Sequence, residues 1–368
     1  MMRNSSKFKS FLLKALGVLL DPILAIIFAL VVGAVIMVVL KYDPFQAYAA
    51  LFSGAFGSLD AFGQTLTAAT PLMFTAMSFS IAYRCGVFNM GGEGQFYMGA
   101  ILGAWVGYAV VGLPPVLHVA LILICGAVGG MIVSLVPAIL KTKRKVNEVI
   151  VYIMMNYVAI YFTNYMVSSE GPMRMGSTLP ATPKIPAGSR LQEIIPNSGI
   201  NIGIVIAVMV AALFYIFLWK TRSGYKIRAV GYNPFAAECG GIKQVRYSIM
   251  AMVISGALAG IGGSMEIVSV YGRFYAGFSS GYGWEGIAVG MLGQNHPVGI
   301  VLSAILFGAL KTGATAMQIE VGANAELVKI IEALVIFFIA GKWSIMMLIQ
   351  RARKKNELKK AGMAAASL

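Results

Sequence analysis

The chain has 368 residues, 58% of them hydrophobic and only 12% charged, with a formal net charge of +15. A soluble domain usually carries about twice that share of charge, and surface-to-volume scaling leaves no single core large enough to hide so much apolar surface. A water-soluble globular fold is excluded, and the composition fits closely packed helices in a bilayer, as do the 42 glycines and 22 methionines.

The N-terminus opens with Arg3, Lys7, Lys9 and Lys14, followed by an apolar run from Pro22 to Leu40. That run is too long for a signal-peptide core and lacks a small-residue cleavage site, so it reads as a retained first helix behind a basic segment, 1–21. A span needs about 20 apolar residues, and the candidates are 22–40, 63–82, 94–112, 116–140, 147–167, 200–219, 246–269 and 326–342. The segment 283–311 differs from the rest. Gly293-Gln294-Asn295-His296-Pro297 splits it, and because Pro297 begins a helix more readily than it continues one, two pieces are predicted. They form a broken or re-entrant hairpin, or an ordinary hairpin with a cytoplasmic turn.

Charge sets the predicted orientation. With the N-terminus in the cytoplasm and alternating spans, 22 of the 29 basic residues fall inside: the N-terminal run, Arg84, 141–145, 220–246 and a basic tail at 343–368 reached through Lys342. That bias is what the positive-inside rule expects. It also removes the nucleic-acid reading that so basic a chain invites, since the cations form no single patch. The proline-containing loop 168–199 then lies outside, as an ordered lid or a binding-protein contact.

Cys85, Cys125 and Cys239 show no CxxC or Cys/His spacing and read as packing residues. There is no GxxxxGK[ST] phosphate loop, no nucleophile elbow and no HExxH. No metal, cofactor or enzymatic centre is predicted in the chain, and if ATP drives it, a partner must hold the ATP-Mg. Acids and amides within apolar spans are costly, which makes them functional candidates. Glu93, Gln95, Asn156, Glu266 and Asn295 are the predicted substrate-pathway residues. Each also has a plainer reading: Asn156, nine residues into its span, suits an interhelical hydrogen bond as well as a polar cavity. Glu266 and Glu285 suit an interfacial position, Glu148 a helix start, and Glu332 a pairing with Lys329. Gly99/Gly103/Gly107, Gly256/Gly260 and Gly286/Gly290 recur every fourth residue, the spacing of close helix packing.

In the cytoplasmic loop 220–245, Asn233-Pro234 supplies an N-cap and a first-turn proline, and Phe-Ala-Ala-Glu-Cys runs to a glycine stop at Gly240. A short surface helix at 233–240 is predicted, of a kind a soluble motor would grip. Arg228-Ala-Val-Gly-Tyr-Asn-Pro-Phe-Ala-Ala…Gly-Ile242 resembles the coupling-helix motif of ABC importer permeases for sugars, branched-chain amino acids and nucleosides. Asn89-Met-Gly-Gly-Glu-Gly-Gln95 resembles the N-x-G-x-E-G-Q signature of that family, and 256–313 resembles its C-terminal pattern. The resemblance spans about residues 60 to 342. Val146-Asn-Glu-Val-Ile…Met-Met-Asn-Tyr157 and the Gln-Asn-His-Pro turn are most similar to the nucleoside branch, with Met155 standing where leucine is common.

The resemblance implies an all-α, type II importer-like bundle of about ten helical segments, spanning 22–342 and multi-pass in a bacterial plasma membrane. It also implies a second permease, cytoplasmic ATPases and an extracellular substrate-binding lipoprotein as partners. Arg228, Gly231, Asn233, Pro234, Ala236, Ala237 and Gly240 are the implied ATPase-coupling residues. A sugar or amino-acid cargo is the nearest alternative, and an ion-coupled secondary transporter with broken helices and midplane acids is the alternative of another class.

Overall fold

The computed structural model describes residues 27–175, 179–196, 198–322 and 326–340; the basic segments 1–21 and 343–368 lie outside the described residues. About 77% of the described residues are helical, and β pairing among them is confined to two isolated bridges, Ala181–Tyr275 and Glu193–Asn201. The protein is an all-α polytopic membrane protein. Among the described residues two compact units emerge, one made of 27–47 with 321–322 and 326–340 and the other drawn from 48–320.

In the first unit, α1 (Ile27–Val39) is apolar. The Asp43 carboxylate accepts from the Phe45 and Gln46 amides, at 2.8 and 3.4 Å, and so caps the start of α2 (Pro44–Phe56), most of which belongs to the second unit. The spans predicted from hydropathy do not include α2, because its 13 residues are too few to cross. In α13 (Glu326–Ala340), Lys329 pairs with Glu326 at 2.9 Å, while the side chain of Glu332, its expected partner, lies outside the described residues.

The second unit holds α3 (Leu59–Arg84), α4 (Gly92–Ala109), α5 (Pro115–Arg144), α6 (Glu148–Met166) and α7 (Ile202–Tyr215, continued as a π turn, Ile216–Lys220). It continues with α8 (Arg222–Tyr232), α9 (Pro234–Cys239), α10 (Gln244–Glu266, continued as a π turn to Tyr271), α11 (Tyr282–Leu292) and α12 (Pro297–Val321). Six of these helices, α3, α5, α6, α7, α10 and α12, are long and apolar enough to cross a membrane. Their ends follow from the sequence. Ser58 caps α3, Asn147 caps α6 and Asn201 caps α7, each through a side-chain oxygen. Helix α5 outruns its predicted span to reach Arg144, because Lys141, Lys143 and Arg144 suit the carbonyl end of the dipole.

Burial ranks the spans. Most of α3 (83% of its apolar window) and α10 (67%) is buried, against 28% for α6 and for α7, so α3 and α10 form the centre and α6 and α7 the rim. Around α10 the glycines predicted to mediate packing lie where backbones meet. A Cβ on Gly99 would stand 2.2 Å from the Gly260 carbonyl oxygen, and one on Gly130 1.9 Å from that of Gly256. No other residue permits such approach, so the small-residue spacing fixes how α4, α5 and α10 dock.

The segment 283–311 divides as the sequence predicts. The 11 residues of α11 span about 16 Å, roughly half the ~30 Å hydrocarbon thickness. Gln294 and Asn295 take left-handed backbone, both with φ 53°, to turn the chain into Pro297 and α12. Helix α11 lies along the second half of α3, with Gly286 on Thr75 and Gly290 on Phe79.

Candidate functional site

Helix α4 begins inside the bundle, after the non-helical stretch 85–91, and so needs internal partners for its first amides. Asn156 Oδ1 accepts from the Gly94 amide at 2.8 Å, while its Nδ2 donates to the Met90 carbonyl at 2.7 Å. The amides of Asn89 and Gln95 bond each other reciprocally at 3.1 and 3.2 Å, and Asn89 Nδ2 also donates to Ser255 Oγ at 2.6 Å. Gln95 and Asn156 are thus brought together, but their hydrogen-bonding groups are engaged in holding the chain break. Replacing Asn156 by leucine strips partners from two buried backbone groups. It is expected to cost about 2–4 kcal/mol, measured as a lowered midpoint of thermal unfolding in detergent, with Asn156→Asp less damaging.

Glu93 serves the second broken helix. Its Oε2 accepts from the Gly283 amide at 2.6 Å, at the N-terminal turn of α11, where orphan amides and the helix dipole favour a carboxylate. Position 283 must be glycine, since a Cβ there would lie 2.1 Å from the Glu93 nitrogen. The Gly-Trp-Glu-Gly sequence is therefore the point where two interrupted helices meet.

Beyond Glu93, toward the start of α3, lies a cavity of about 480 Å³. Asp60 and Gln64 of α3, Glu266 and Tyr271 at the end of α10, Tyr282 of α11 and Lys311 of α12 line it. Glu266 is 3% exposed, enclosed at the end of α10 beside Tyr282 of α11 and Lys311 of α12. Lys311 Nζ binds both oxygens of Glu285, at 2.7 and 2.9 Å, and lies 4.1 Å from the centre of the Tyr282 ring.

Asn295 does not reach this cavity. It sits at the other end of α3, with its Oδ1 accepting from Ser80 at 2.9 Å. Arg84 donates to the carbonyls of Gln294, at 2.9 Å, and of Asn295, at 3.2 Å, satisfying the turn between α11 and α12. The 24 residues from Asp60 to Arg84 put about 36 Å between cavity and turn. At the Arg84 end the predicted coupling region is more helical than the sequence indicated. Arg228 and Gly231 belong to α8, an 11-residue helix capped by Thr221. Arg228 points inward, donating to the Leu218 carbonyl at 3.0 Å. Gly231 packs on the backbone of Arg84, whose oxygen would lie 2.1 Å from a Cβ. Asn233 Oδ1 accepts from Ala236 at 3.0 Å and caps α9, with Pro234 at its first position and Gly240 at its end. Near the same end Glu148, in the first turn of α6, is ion-paired with Lys141.

The family profile described as "Branched-chain amino acid transport system / permease component" matches residues 61–340. The chain belongs to this permease family. Among its relatives is the guanosine ABC transporter permease protein NupP of Bacillus subtilis, 38% identical over 94% of this chain and 99% of the relative. The nucleoside ABC transporter permease protein NupB of Lactococcus lactis is 37% identical over 91% and 94%. The glucose ABC transporter permease protein TsgB13 of Haloferax volcanii is 33% identical over 86% of each chain. B. subtilis and L. lactis each also hold a second, more distant permease relative at 26% identity.

Several residues of this permease were not singled out from sequence. Trp219, in the π turn, has its ring 5.1 Å from His296, 5.4 Å from the Arg84 guanidinium and 5.8 Å from that of Arg228. It joins the α11–α12 turn to α8. Tyr232 and Phe235, at 82% and 80% exposed, project from α8 and α9. The signal was present: aromatic residues within a basic, polar segment have little reason to be there unless something covers them.

Proposed function

We propose that the chain is the membrane-spanning subunit of an ABC importer that carries nucleosides across the plasma membrane. The observation that carries this reading is identity of 38% and 37%, over more than nine-tenths of the chain, to permeases named for guanosine and for nucleosides. The same relatives favour an ATP-driven importer over an ion-coupled carrier. A sugar is the second reading, because the glucose permease of H. volcanii is 33% identical.

In this reading both termini are cytoplasmic, and Arg84, α8 and α9 face the cytoplasm. ATP-Mg binds partner ATPases, which grip α9 and the exposed Tyr232 and Phe235. A second, non-identical permease completes the pore, in line with the two permease relatives in each of two bacteria. A lipoprotein delivers cargo to the opposite end, where the cavity at Glu266 opens. Asn233, Pro234, Ala236, Ala237 and Gly240 shape the docking helix, while Arg228 and Gly231 hold it to the bundle.

Affinity purification of the tagged chain in mild detergent tests the assembly. An ATP-binding subunit and a second permease are expected to co-purify, and Phe235→Ala combined with Tyr232→Ala is expected to lower ATPase recovery at least ~10-fold, since exposed aromatics that anchor an interface are worth about 2 kcal/mol or more. Recovery of the chain with no ATPase would contradict the reading.

A further inference from the structure

The cavity beside Glu266 has a size and a chemistry that narrow its occupant. Its ~480 Å³ falls in the range of about 300–1,000 Å³ typical of small-molecule sites. Glu266 lies at its most buried point, and among the described residues it forms no salt bridge. Lys311 faces it, but that ammonium is already held by both oxygens of Glu285. The Tyr282 hydroxyl is hydrogen-bonded to Glu266, and a buried carboxylate with that one bond and no salt bridge keeps further acceptor capacity, which N–H donors satisfy well. Tyr271 and Tyr282 flank it closely and line the cavity with aromatic surface on which a planar group can rest. Asp60 and Gln64, both exposed, line the wetter wall on α3.

We propose that this cavity is the cargo site of the permease, and that Glu266 is the acceptor that reads the donor edge of a nucleobase held against Tyr271 and Tyr282. The inference rests on the nucleoside reading above and adds a preference to it. A carboxylate accepts two parallel N–H bonds most readily from a base carrying a ring N–H beside an exocyclic amine, which is the guanine edge. Asp60 and Gln64 then meet the ribose hydroxyls. Hypoxanthine, which keeps the ring N–H and lacks the amine, fits less well, so guanosine is favoured over inosine.

The test is competition between labelled guanosine and inosine for uptake by cells expressing the complete transporter, with wild-type chain or with Glu266→Gln or Glu266→Asp. The wild type is expected to favour guanosine by about 10-fold or more, the worth of one charge-assisted hydrogen bond. Glu266→Gln is expected to bring the ratio close to one, because its amide presents one acceptor and one donor, while Glu266→Asp keeps part of the preference. A merely structural glutamate would lower both uptakes together and leave the ratio unchanged. An unchanged ratio in Glu266→Gln, or a wild type that does not distinguish the two, overturns the site while leaving a nucleoside importer standing. A wild type that imports no nucleoside overturns both. Should Glu266→Gln fail to co-purify with its partner permease, Tyr271→Ala decides. Loss of ring stacking is expected to lower guanosine uptake at least ~5-fold, with Tyr271→Phe near wild type, and undiminished uptake in Tyr271→Ala counts against the site.

Discussion

Gly260→Leu is expected to prevent the helices around α10 from assembling. The α10 backbone at this point touches α5: a Cβ on Gly260 would stand 2.1 Å from the Gly126 carbonyl oxygen and 2.9 Å from the Gly130 nitrogen. On the α4 side, a Cβ on Gly99 would stand 2.2 Å from the Gly260 carbonyl oxygen. Overpacking in a core costs about 1–3 kcal/mol when side chains can shift. Here the obstacle is backbone on both sides, so the cost is expected to exceed ~3 kcal/mol, a large share of the ~5–15 kcal/mol that holds most proteins folded. The measurement is size-exclusion chromatography of the solubilised protein, where the monodisperse peak should be lost. Gly188→Ala is the control, since nothing lies within 4 Å of a Cβ there, and it should elute as wild type. A stable, monodisperse Gly260→Leu protein would refute the packing of α10 against α4 and α5.

Ala237→Pro should abolish transport while leaving the bundle folded. In α9 the Ala237 amide donates to the Asn233 carbonyl at 3.0 Å, one of few bonds in a six-residue helix. Proline removes that donor and drives its ring toward the same carbonyl, a loss of about 3 kcal/mol or more. Ala237 is also the buried residue of α9, so the surface presented by Phe235 would be lost with the helix. Uptake is expected to fall at least ~10-fold, while the chromatographic profile of the chain stays normal, because the short α9 sits at the edge of the bundle and touches α10 only lightly. Normal uptake by Ala237→Pro would show that α9 is not where the motor acts.

Much of the fold was legible because membrane helices announce themselves by length and hydropathy, and one short helix by the Asn233-Pro234 pair at its start. The chain break at Pro297 and the glycine contacts were legible for the same reason, each following from local backbone chemistry. Helix α8 was not. Gly224 and Gly231 made 220–242 read as a loop, yet they are glycines because the helix presses on the backbone of Leu218 and Arg84. The buried Ile227 and Val230, three residues apart, were the overlooked periodic signal.

The candidate site was legible only in part. Composition picks out costly polar residues in apolar spans, but not whether they meet a cavity or the protein itself. Gln95 and Asn156 support the interrupted start of α4, and Glu93 that of α11. These needs become visible only when helices distant in sequence are brought together. Glu266 stood out as an acid in a span, whereas its neighbours Tyr282 and Lys311 come from later segments, and the Lys311–Glu285 pair that leaves Glu266 without a salt bridge crosses 26 residues. Trp219 links the α8 end to the turn capped by Arg84, and the α11 that ends at this turn begins at Glu93. This gives a continuous packed route between α9 and the region of the cavity.

The most direct test of nucleoside import is uptake in cells from which this chain alone has been deleted, with and without the gene restored, using labelled nucleosides and labelled glucose in parallel. Nucleoside uptake is expected to disappear on deletion and return on restoration, with glucose uptake unaffected. Unchanged nucleoside uptake together with lost glucose uptake would contradict the nucleoside assignment and establish the sugar reading in its place.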